Sequence, residues 1–162
     1  MFSLLFQCAD FTPGVLNALL QGLTAIDRIE IERYKLPPLY RAGIVYAQQR
    51  GCAGTRDENG MATKVCLAPS PVDDEDSVSF REQWRSAYTA YSEDPREGDC
   101  KVLACWRAAE LQLAGEHAIA FPRIKRQTIG RRWRNIAHIL VRRGNGAIED
   151  PSRLLGMGNE EV

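Results

Sequence analysis

Gly144-Asn145-Gly146 constrains this chain more than any other stretch, because it folds one strand back onto the next. Before it stand the core-type residues Ile136, Ala137, Ile139, Leu140 and Val141, interrupted by His138; after it comes the short segment 147–150. Asn-Gly flanked by apolar residues is a strong hairpin signal. A three-residue loop over Gly144–Gly146 sets His138 opposite Ser152, with Asp150 its diagonal neighbour on the same face. Diagonal partners lie roughly 7–8 Å apart at the backbone, within side-chain reach of each other. A two-residue turn would place them on opposite faces. A His138–Asp150 contact therefore demands the longer turn or a bulge.

Strands are expected at 117–125, 131–143 and 147–150, and the elements before them read as helices. Thr12-Pro13 supplies a capping hydroxyl and a proline at the first helical position. Val15, Leu16, Leu19, Leu20, Leu23 and Ile26 then recur at helical spacing to about Tyr34, where Leu36-Pro37-Pro38-Leu39 ends the run. Residues 1–35 thus form an apolar arm and amphipathic helix, suited to covering the core or to docking on a partner. Segment 39–48 fits a strand or a helix start equally well. Residues 51–78 are rich in Gly, Asp, Pro and Ser and read as a surface excursion, with a short hairpin at Met61–Leu67. Phe80, Trp84, Ala87 and Tyr91 at helical spacing predict a helix over 79–91, broken by Asp94–Gly98. A second helix runs from Asp99 to Ala114, with Val102, Leu103, Trp106, Ala109 and Leu113 as its apolar stripe and Gly115 past its end. Helices followed by an antiparallel sheet make an α+β fold.

At 162 residues the chain suits one domain with a real core. Its formal net charge is zero, so whole-molecule electrostatics give no reason to expect a polyanionic partner. The local distribution is uneven: 73–76 is Asp-Asp-Glu-Asp, whereas the segment 118–148 has no acidic residue and carries Arg123, Lys125, Arg126, Arg131, Arg132, Arg134, Arg142 and Arg143. That run reads first as a solvated strand face, then as a surface for phosphate or an acidic neighbour. Nucleic-acid binding ranks lowest, because the arginines fall at strand spacing and Trp133 is the sole aromatic platform among them. Five cysteines form no Cys-x-x-Cys pair, and with two histidines they make no metal site or cofactor anchor. Cys52 and Cys66 flank the excursion and can meet across it, although an odd cysteine count without a leader favours a reducing compartment. Met1–Cys8 is apolar but lacks a basic region and meets Asp10, so no signal peptide is expected, and no apolar run reaches membrane-spanning length.

Cys100 follows Gly98-Asp99 in the first turn of its helix, where the macrodipole favours a thiolate. Nucleophilic thiol chemistry also needs a base and a group that fixes the base's tautomer. Of the two histidines, His117 reads as a surface residue at a strand end, and His138 lies among core residues within reach of Asp150. Each residue alone has an ordinary structural reading; the arrangement of all three is what points to chemistry.

Gly98-Asp99-Cys100 opening a helix, His138 on a strand and Asp150 on the next resemble the transglutaminase-like branch of the papain-like cysteine enzymes. More narrowly, Pro37-Pro38-Leu39-Tyr40, Leu103-Ala104, Trp106–Leu111 and Glu149–Met157 resemble pieces that recur in small phage-encoded transglutaminase-like proteins. The similarity covers residues 36–158, leaving 159–162 as a tail. The resemblance implies a papain-like fold, Cys100 as nucleophile, His138 as general base and acid, and Asp150 as its orienter. It implies attack on a peptide or protein amide, an acyl-enzyme, and release to water or an amine, with no cofactor. The Cys100 backbone N–H is one oxyanion donor; Gln83 and Trp84, on the preceding helix, are weaker candidates. Lys101 and Val102 stand where the family usually has acidic residues, with Lys101 expected to face solvent and Cys105 to belong to the core.

Two functions follow. The first is a cysteine hydrolase or acyltransferase of phage origin. The second is a structural protein of a phage virion, in head-tail or tail assembly, using the same fold as a scaffold. That protein would meet other phage structural proteins through residues 1–35 and the basic 123–143 face. The expected location is the host cytoplasm or the virion.

Overall fold

The computed structural model describes residues 3–7, 12–47, 55–56, 62–63, 81–129 and 132–157. The first strand, β1 (Ser3–Gln7), precedes α1 (Pro13–Tyr34). The Thr12 hydroxyl caps α1 by accepting the Val15 N–H, and Pro13 takes the first helical position. Lys35 ends it in the left-handed region, with its N–H bonded to the Ile31 carbonyl. A 3-10 turn at Leu39–Arg41 leads into β2 (Val45–Tyr46), so the ambiguous 39–48 segment holds a tight turn and then a strand. Two short strands, β3 (Thr55–Arg56) and β4 (Ala62–Thr63), pair antiparallel. Of the hairpin expected at Met61–Leu67, Ala62–Thr63 thus pairs with 55–56. The rest of that expected hairpin, Cys52, Cys66 and the acidic run 73–76 lie outside the described residues.

The helix expected over 79–91 is a strand followed by a shorter helix. β5 (Arg81–Arg85) pairs antiparallel with β1, Ser3 against Arg85 and Gln7 against Arg81. Ser86 then caps α2 (Ala87–Ser92), its hydroxyl accepting the Thr89 N–H. β6 (Glu97–Gly98) pairs parallel with β2 and delivers the chain to α3 (Cys100–Leu113). β7 (Ala118–Ile129) and β8 (Arg132–Arg143) form a long antiparallel ladder, extended by β9 (Ile148–Glu149) before α4 (Pro151–Leu154).

α3 is apolar on nearly every side and lies at the centre. One flank puts Ala104, Cys105, Ala108 and Leu111 against Leu16, Leu20 and Leu23 of α1 and against Ala118, Ala120, Ile139 and Val141 of the sheet. The other puts Val102, Leu103 and Trp106 against Leu39, Ala42, Ile44, Ala87 and Ala90. Leu16, Leu20 and Leu23 of the α1 stripe are therefore core cover, while Val15 is exposed. The fold is α+β, with the central helix lying on a three-stranded antiparallel sheet. Among the described residues no helix is long and apolar enough to cross a membrane.

Candidate active site

The turn between β8 and β9 has the three-residue form. Arg143 accepts the Gly146 N–H at 2.9 Å and donates its own N–H to Ala147 at 2.9 Å. Gly146 supplies the positive φ of 85° that closes such a loop, and the Asn145 side chain accepts the Ala147 N–H at 3.0 Å. The register continues as Arg142 opposite Ile148 and Val141 opposite Glu149. β9 then stops, Pro151 starts α4, and Asp150 becomes its N-cap.

This junction gives the Asp150 carboxylate two tasks. Oδ1 accepts the Arg153 N–H at 3.3 Å, and Oδ2 meets Nε2 of His138 at 2.9 Å. Nε of Arg153 stands 3.4 Å from the same Oδ2. His138 is 7 % exposed, so its bond to Asp150 is largely shielded from water. Engaging Nε2 leaves Nδ1 as the ring nitrogen able to take a proton from a thiol. The expected contact between these two residues is thus present by a different route: β9 covers only 148–149 of the expected 147–150, Ser152 lies in α4 rather than on a strand opposite His138, and Asp150 meets the ring as an N-cap.

Cys100 is the first residue of α3, half-buried and outside any disulfide. Asp99 caps the helix: its Oδ1 accepts the N–H groups of Lys101 and Val102, each at 3.1 Å. The end of α3 lies at the Arg143 end of β8, because Glu116, just past the helix, pairs with Arg143 at 2.6 and 2.5 Å. Further along, Arg107 of α3 binds Glu149, the ladder partner of Val141. Cys100 is about 10 Å of helix before Arg107, and His138 is about 10 Å of strand before Val141. Cys100 packs against the cluster that holds Ile139, the strand neighbour of His138. Along β8, Ile139 and Val141 face α3 while His138 alternates with them, at the edge left open where β9 ends.

Lys101 does not face solvent. It is 6 % exposed, its ammonium lies 2.7 Å from Oδ2 of Asp99, and it stands 5.5 Å above the Trp84 ring. A strand delivers Trp84 to that position, which periodicity misread as helix. This puts a buried Lys101–Asp99 ion pair in the first turn beside Cys100. Trp84 is buried beneath that turn; Gln83 lies on β5 opposite Leu5, and its side chain is outside the described residues. Cys105 is fully buried, donates to the Leu20 carbonyl at 3.5 Å, and burial pushes its thiol pKa well up. His117 is exposed in the loop between α3 and β7, as expected. Arg123 and Lys125 are exposed on the strand face.

A network invisible to periodicity lies one residue from Asp150. Glu149 Oε1 accepts from Arg107 Nε at 2.7 Å and from the Tyr40 hydroxyl. Arg107 also donates to Glu110 at 3.1 Å, and Glu110 accepts the Leu39 N–H. Burial, then the Glu149 carboxylate, pushes the Tyr40 hydroxyl well above its ordinary pKa. Burial opposes the Arg107 charge, but bonds to Glu149 and Glu110 outweigh it and raise that pKa. Burial likewise raises the Glu110 pKa against its bonds to Leu39 and Arg107. Among the described residues no group of three or more His, Cys, Asp and Glu can hold a metal. No family model, curated protein or solved structure matches this chain.

Proposed function

We propose that the chain is a transglutaminase-like cysteine hydrolase or acyltransferase of phage origin, built on a papain-like fold. The observation that carries this reading is the 2.9 Å bond between His138 Nε2 and Asp150 Oδ2, in a fold that also sets a half-buried cysteine at a helix N-terminus against the cluster of Ile139. Cys100 gives its proton to Nδ1 of His138 across the open edge of β8. Asp150 holds the imidazole and steadies the imidazolium that forms. The thiolate attacks the carbonyl of a peptide or protein amide, and His138 returns the proton to the leaving amine. Water or a second amine then releases the acyl group. The Cys100 N–H, at the positive end of α3, is the first oxyanion donor.

The competing reading is a virion scaffold that keeps the fold without the chemistry. One observation favours it: Tyr40, Arg107, Glu110 and Glu149, all in the motif segments of the resemblance, bind one another rather than the thiol. Iodoacetamide labelling with peptide mapping separates the two, with buried Cys105 as the unreactive reference. For an enzyme, Cys100 labels fast down to about pH 6, and His138→Ala slows that labelling about tenfold or more. A Cys100 titrating near about 8.5 in both proteins leaves the scaffold reading.

A further inference from the structure

We infer that Tyr40, Arg107 and Glu149 form a clamp whose task is to position Asp150 against His138. The inference rests on the reading of His138 and Asp150 as a working pair. Glu149 is held from three directions: by Arg107 of α3, by Tyr40 of the 3-10 turn, and by Arg143 of β8, 3.7 Å from Oε2. The Arg107 guanidinium also lies 5.1 Å from the Tyr40 ring centre and is anchored by Glu110, which accepts the Leu39 N–H. Two segments far apart in the chain thus close on one carboxylate, with side chains of Arg107 and Glu149 only 20 % and 14 % exposed.

The peptide between Glu149 and Asp150 transmits the hold. Asp150 follows Glu149 directly, where β9 ends and α4 begins, so fixing Glu149 limits where this N-cap residue can stand. Beyond Asp150 the Pro151 ring restricts the backbone, and the Arg153 N–H takes Oδ1. The remaining oxygen, Oδ2, is left aimed at His138. A partly buried ion network is a poor source of stability compared with apolar packing of equal volume. It is a good source of directional restraint, because the planar Arg107 fork fixes two carboxylates at once. Tyr40, Arg107 and Glu149 are accordingly positioning residues, acting on the imidazole through Asp150.

Long-range 1H–15N spectra of the full chain test this, since its two histidines give two imidazole signals and exposed His117 is the reference. Asp150 keeps the proton on Nε2 of His138 whether the ring is neutral or charged, so the reading is the exchange rate of that proton with water. Arg107→Met and Glu149→Ala are expected to speed this exchange about tenfold or more, and Tyr40→Phe, which deletes one hydroxyl and spares the fold, about threefold. Glu149→Gln keeps an Oε1 acceptor and stays within about twofold of wild type. Folded Arg107→Met and Tyr40→Phe proteins with a wild-type His138 signal would overturn the clamp. So would an Asp150→Asn protein with an unchanged signal, because no bond would then exist to position. If the clamp variants lose the protected proton while Cys100 labelling ignores His138→Ala, the clamp stands and the catalytic reading fails.

Discussion

Gly98 shows how one residue of a catalytic-looking motif is fixed by packing. A Cβ there would lie 2.7 Å from Cδ2 of Leu103 and 3.3 Å from Cδ1 of Ile44, both buried. The glycine lets β6 pass against β2 while the first turn of α3 closes over it. Gly98→Ala is expected to cost about 1–3 kcal/mol by overpacking, measured as a lower urea midpoint, and Leu103→Val in the same chain should recover part of it. A neutral Gly98→Ala would mean that Leu103 moves aside freely. At this scale the sequence was informative where the backbone imposed the choice. The Gly144–Gly146 loop, the Thr12 cap and the Asp150–His138 pairing follow from local rules. Lys101 did not: its burial depends on Trp84 arriving from a strand that local spacing disguised.

That disguise operates between elements. Phe80, Trp84, Ala87 and Tyr91 do fall at helical spacing, but the partner that makes 81–85 a strand is β1, almost eighty positions earlier. No window along the chain can see such a pairing. The capping signal was present one element late, at Ser86. α3, by contrast, was legible nearly to its ends, since its start is a true cap and Gly115 (φ 82°) follows its last turn. Its cap is unusual in doing double duty, because the Asp99 carboxylate serves two N–H groups and the Lys101 ammonium. Asp99→Ala is therefore expected to cost about 3–5 kcal/mol, beyond the ~1 kcal/mol of an ordinary cap, because it strips a carboxylate from a buried ammonium. Asp99→Ser restores the cap alone and should recover only the smaller part. Adding Lys101→Met to Asp99→Ser should recover most of the rest in thermal denaturation. If Asp99→Ser is already as stable as wild type, the ion pair contributes nothing.

Across the whole molecule, α1 is joined to α2 by acids that composition could not distinguish from surface charge. Asp27 Oδ1 accepts the Ala87 N–H at 2.7 Å, and Glu30 accepts the Tyr88 N–H at 3.1 Å. The first helix thereby satisfies the opening N–H groups of the second. Asp27 is fully buried, and its Oδ2 has no hydrogen-bond partner among the described residues. Burial, reinforced by the Glu30 charge and opposed by the Ala87 N–H, holds its pKa well above the carboxylate range. In the unfolded chain the same group ionises near about 3.9. Below that value both states hold the proton and Asp27 has no effect on the pH dependence. As pH rises above it the unfolded chain releases the proton first, so this contribution to stability falls until the folded carboxyl also ionises. Asp27→Asn mimics the protonated acid and keeps the Oδ1 acceptor. Its stability relative to wild type should rise steadily from pH 4 upward, whereas Asp27→Ala should lose about 1–3 kcal/mol by stranding the Ala87 N–H. Urea unfolding of the three proteins across pH 4–9 checks this. A constant gap between wild type and Asp27→Asn would mean that Asp27 is ionised in the fold, and that the junction of α1 and α2 tolerates a buried charge.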